Sequence, residues 1–73
     1  MKQYKLIVRL SINMGRPVTD FDLWVMDCYY ESPIFYDDPQ RYPIEIVEEA
    51  TERYFSDEPW YNRIGSVDLV LVA

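Results

Sequence analysis

The sequence predicts an α+β domain: a small, mainly antiparallel three-stranded sheet with one helix packed on one face, in the order strand, strand, helix, strand. Three observations carry this expectation. Residues 4–12 alternate between apolar and polar, residues 43–55 hold apolar side chains at helical spacing behind a proline, and residues 67–72 form a run rich in Val and Leu. With 73 residues the chain has room for one domain, residues 1–73, because a separate core needs roughly 50 residues.

The elements follow in order. Tyr4, Leu6, Val8, Leu10 and Ile12 share one face, with Lys5, Arg9 and Ser11 on the other, the pattern of a half-buried strand. The turn residues of Asn13-Met14-Gly15-Arg16-Pro17 stop it. Residues 20–30 admit two readings. Phe21, Trp24, Val25, Cys28, Tyr29 and Tyr30 favour a strand, whereas Thr19 with Asp22 makes a short capping box and Val18 with Leu23 a hydrophobic staple for a helix. The strand is preferred because a two-stranded sheet buries too little to stand alone. Residues 32–42 read as a loop punctuated by Pro33 and Pro39. Pro43 suits a first helical turn, and at about 100° per residue Ile44, Ile46, Val47, Ala50, Thr51, Tyr54 and Phe55 fall in one half-circle that faces the sheet. Ser56-Asp57-Glu58-Pro59 ends the helix. In the last strand Val67, Leu69 and Leu71 share one face and Asp68, Val70 and Val72 the other, which reads as a strand covered on both sides or centrally placed.

Composition narrows the function. The formal charge is −6, unevenly spread: residues 1–16 hold four basic side chains and no acid, a balance of +4, and residues 17–73 set three arginines against all thirteen acids, a balance of −10. Nucleic acid and anionic membrane are disfavoured partners, since both are bound by clustered Lys and Arg. Cys28 is the only cysteine, which fits a reducing, cytoplasmic setting. No apolar run approaches the roughly 18 residues of a membrane span.

Glu45, Glu48, Glu49 and Glu52 occupy spacings i, i+3, i+4 and i+7, a stripe along one helix face. Like-charge pairs at i, i+4 cost a few tenths of a kcal/mol each, and Glu49 with Arg53 is expected to recover a similar amount. A solvated helix face is the ordinary explanation. Further acids in the flanking loops, Asp37, Asp38, Asp57 and Glu58, and the lack of lysine after Lys5 favour a contact surface instead. Tyr36, Tyr42, Trp60 and Tyr61 lie among these acids, and such side chains are enriched in binding hot spots. If residues 20–30 are a strand, Trp24, Met26 and Tyr30 join Ile7, Val70 and Val72 in an apolar patch on the face opposite the helix, a route to a homodimer.

Catalysis finds little footing. Histidine is absent, Cys28 sits in an apolar segment without an activating base, and Gly15 and Gly65 belong to no phosphate-cradling loop. No catalytic residue, metal ligand or cofactor is expected.

In its glutamate stripe, aromatic loops and small size the chain resembles the compact acidic proteins with which bacterial viruses disable host machinery, such as anti-CRISPR proteins and inhibitors of nucleic-acid enzymes. The resemblance lies in overall character and in no motif. It implies a non-enzymatic inhibitor or modulator that occupies a basic, nucleic-acid-binding groove of a larger host protein. The alternative is a small assembly subunit that dimerises through the uncovered sheet face.

Overall fold

A computed structural model describes residues 1–11, 17, 19, 20, 22, 24 and 28–73. Its elements are β1 (Lys2–Leu10), β2 (Tyr30–Glu31), β3 (Phe35–Asp37), helix α1 (Pro43–Phe55), a 3-10 turn (Tyr61–Arg63) and β4 (Ile64–Leu71). The α+β class holds, with an antiparallel sheet of four strands and helix α1.

β1 is the centre of the sheet. β4 pairs with it from Tyr4↔Leu71 to Leu10↔Ile64, filling one edge. A strand has two edges, so β2 and β3 share the other. Their registers, Ile7↔Glu31 and Tyr4↔Phe35, differ by one residue, which makes them two halves of a single strand broken by a bulge. Ser32 holds the break together: its N–H donates to the Leu6 carbonyl at 3.0 Å, and its Oγ accepts the Leu6 N–H at 2.8 Å. Pro33 has no N–H to continue the ladder. The expected loop over residues 32–42 thus contains strand β3, a correction to the sequence reading. The sheet was expected to have β4 at its centre or covered on both sides. Instead β4 lies at an edge: Ile64, Val67, Leu69 and Val70 are only half-buried and Leu71 is exposed.

The connection before β2 also departs from the favoured reading. Asp20, Asp22 and Trp24 are helical, not extended. Thr19 and Asp22 form the reciprocal capping box: the Thr19 N–H and Oγ1 donate to Asp22 Oδ2 at 2.8 and 2.9 Å, and the Asp22 N–H donates to Thr19 Oγ1 at 3.2 Å. With three hydrogen bonds arriving within one turn, local capping wins over the β-propensity of the aromatic side chains. The expected turn at 13–16, the staple of Val18 and Leu23, and Ile12, Phe21, Val25 and Met26 lie outside the described residues.

The core forms between α1 and one face of the sheet. Tyr4, Leu6, Val8 and Phe35 are buried from below and Ile46, Ala50 and Phe55 from above. Each fully buried aliphatic side chain contributes about 1.5–3 kcal/mol. Rings tie the rim: Tyr30 stacks on Trp60 at 4.3 Å, Trp60 meets Phe55 at 5.5 Å, and Phe35 lies 5.7 Å from Tyr54. Tyr30 opposes Val8 in the ladder and therefore sits on the helix side, not on the open face where it was expected. Gly65 marks a register shift in β4, and an added Cβ there would fall 3.0–3.1 Å from Ser11.

The open face of the sheet is mixed rather than an apolar patch. Ile7 and Val70 share it with Lys5, Arg9, Glu31 and Asp68. Lys5 pairs with Glu31 at 3.3 Å, and the Arg9 guanidinium lies 5.4 Å from the Tyr29 ring centre. Among the described residues no helix is long and apolar enough to cross a membrane.

Candidate protein-contact surface

The site is built on α1. Tyr42 precedes Pro43 with φ −62° and ψ 129°, the extended conformation that a following proline enforces, so the helix starts sharply after the loop. Ile46 and Ala50 anchor the inward side and turn Glu45, Glu48, Glu49 and Glu52 outward, all four exposed. The stripe expected from spacing is therefore present.

Its charge is handled unevenly. Arg41, in the loop before the helix, reaches three carboxylates at once. Its Nη1 donates to both Asp37 oxygens at 3.1 and 3.2 Å, its Nη2 approaches Glu49 Oε1 to 2.8 Å, and its Nε lies 4.0 Å from Glu45 Oε2. The hydrogen bond to Glu49 and then that to Asp37 raise the guanidinium above its ordinary value, against the opposing effect of desolvation. Glu45 and Glu49 are thus partly neutralised from within the chain. The pairing expected between Glu49 and Arg53 is not made: Arg53 leans over the Tyr54 ring at 5.9 Å, and Glu49 is taken by Arg41.

Glu48 and Glu52 differ. Among the described residues neither forms an ion pair, and as i, i+4 neighbours their Cβ atoms stand about 5–6 Å apart. Ile44 precedes them on the same row. Its side chain is 63 % exposed, so the sequence reading that placed it against the sheet is corrected. It lies at the border of the apolar half-circle. Tyr42, at the start of the helix, is 73 % exposed. Asp57 and Glu58 continue the acidic surface past the helix C-terminus, exposed and without ion pairs among the described residues.

The other expected contact residues divide. Asp37 and Asp38 shape the loop: the Asp38 N–H donates to Asp37 Oδ1 at 2.7 Å, and the Gln40 N–H donates to Asp38 Oδ1 at 2.9 Å. Trp60 and Tyr61 are half-buried and pack against the core, so they support the surface from beneath. Tyr36 is exposed but opposes Gln3 on the open sheet face, away from the helix. The residue that sequence reasoning passed over is Arg41. Its position four residues from both Asp37 and Glu45 was the available signal.

Comparison with protein-family models, curated proteins and solved structures finds no match.

Proposed function

We propose that this chain is a non-enzymatic binding protein that sets the outer face of α1 into a basic groove of a larger host protein, acting as an inhibitor or modulator of the kind that phages direct against host nucleic-acid machinery. The observation that carries the reading is the pair Glu48 and Glu52, exposed and without ion pairs among the described residues, in one row with exposed Ile44, while exposed Tyr42 stands at the start of the same helix. Unpaired carboxylates one turn apart can each accept from a basic surface, and the exposed Ile44 and Tyr42 side chains add aliphatic and aromatic area at the same end of the helix. Arg41 supports the same reading by holding the loop against the helix, so that Tyr42 is presented on a fixed base.

The test is capture from host extract on the immobilised chain at low and raised salt, followed by mass spectrometry. The expected result is a protein with a basic groove that binds at low salt and elutes as salt rises. Recovery of the same proteins by the wild type and by a Glu48→Lys/Glu52→Lys variant would remove the acidic row from the mechanism.

A further inference from the structure

The hydrogen-bonding edges of the sheet are filled unequally. β1 has strands on both sides, while β4 uses one edge only. The Val72 N–H donates to the Gln3 carbonyl at 2.7 Å. Backbone groups in an antiparallel ladder alternate in direction, so Val70, Asp68 and Ser66 also face β1, and the N–H and C=O of Val67, Leu69 and Leu71 point away from it. Among the described residues these outward groups have no partner. Soluble proteins blunt such an edge with lysine, proline or a covering element. From Ile64 to Leu71 there is no lysine and no proline, and Asp68 is the only charge. Leu71, at the end of the strand, is 59 % exposed.

We propose that β4 pairs antiparallel with β4 of a second copy, about a two-fold axis at Leu69. Only residues with outward backbone groups exchange both hydrogen bonds, so the axis passes through one of them or midway between two. At Asp68 it would set two carboxylates face to face, and at Asp68 or Val70 one outward residue of each strand would be left without a partner inside the strand. Centring on Val67 draws the Gly65 register shift into the ladder, and centring on Leu71 runs the pairing off the strand end. At Leu69 all six groups are used. Leu69 meets its own copy, Val67 meets the partner's Leu71, and Asp68 lies opposite the partner's Val70 instead of the partner's Asp68. The apolar row of half-buried Val67 and Leu69 and exposed Leu71 meets its own equivalent, as an isologous interface requires.

Two features set the strength. An edge of five residues falls well short of the roughly 800 Å² per partner of a standard interface, so the dimer is weak and concentration-dependent. Each copy also carries −6, so association strengthens as salt screens the repulsion. That is the reverse of the salt dependence of the acidic helix face, and either reading can fail without the other.

The experiment is sedimentation velocity of the full chain over a concentration series reaching millimolar, at low and raised salt, with amide exchange followed residue by residue. The expected result is a reversible dimer favoured by salt, with protection of the Val67, Leu69 and Leu71 amides rising with concentration. Leu71→Lys, which sets a lysine beside the partner's strand, is expected to weaken dimerisation by about tenfold or more. The wild-type exchange data stand even if that variant folds poorly. A monomer throughout the series overturns the proposal, as does a dimer whose β4 amides gain no protection. Protection that appears only on adding an extended alternating Lys-Val peptide also overturns it, and assigns the edge to a foreign strand.

Discussion

Glu45 and Glu49 stand one turn apart on α1, and so do Glu48 and Glu52, yet Arg41 engages the first pair and leaves the second exposed. Spacing alone makes the two rows equivalent. The loop breaks the equivalence, because Asp37 and the Asp38 turn hold the guanidinium over one side of the helix start. A carboxylate already paired must give up its partner before it meets another cation, whereas an unpaired one loses only water. An acidic stripe read from sequence is therefore an upper limit on the surface available for binding. What remains after internal pairing is the narrower row with Ile44 at its head.

Four sets of substitutions probe the two rows. The largest effect is expected from Ile46→Ala, which removes a buried anchor beneath both rows: a loss of about 2–5 kcal/mol in denaturant unfolding, with binding lost only as folding is lost. Next comes reversal of the open row, Glu48→Lys/Glu52→Lys. Stability should move by no more than a few tenths of a kcal/mol, since like-charge repulsion is merely exchanged, while affinity for a captured basic partner falls by tenfold or more, about 1.4 kcal/mol for each factor of ten. Third, Arg41→Gln makes the rows alike. Calorimetry should show tighter binding to a basic partner together with a modest fall in melting temperature as β3 and α1 lose their tie. Because the folded-state value of Arg41 lies above its unfolded one, its contribution is complete at every pH below the unfolded value and is lost only in strong alkali, so the difference between Arg41→Gln and wild type should not change through the neutral range from titration of this group. The smallest effect is expected from Ile44→Ser, which leaves stability within about 0.5 kcal/mol and weakens binding by a few-fold at most.

Much of this was legible in the chain. β1 could be read because Tyr4, Leu6 and Val8 alternate with Lys5 and Arg9, and α1 because Pro43 opens a run whose Ile46, Ala50 and Phe55 recur at helical spacing. Both signals are local and repeat over several turns or residue pairs. β3 has three residues between two prolines, and its extended conformation comes from the edge of β1, which no local pattern records. Trp24 and its neighbours carry β-propensity, and the capping hydrogen bonds of Thr19 and Asp22 override it. Ile44 sits at the edge of the apolar half-circle, where a helical wheel does not separate a covered side chain from an exposed one. Arg41 and Glu49 are eight residues apart, and only the loop geometry brings them within 2.8 Å.

The most direct measurement is the dissociation constant for one captured basic partner, compared between Glu48→Lys/Glu52→Lys and Glu45→Gln/Glu49→Gln at two salt concentrations. The expected result is a loss of at least about tenfold for the open row, a change under about threefold for the Arg41-bound row, and a gap between them that closes as salt rises. Equal losses for the two rows, or none for either, would contradict it.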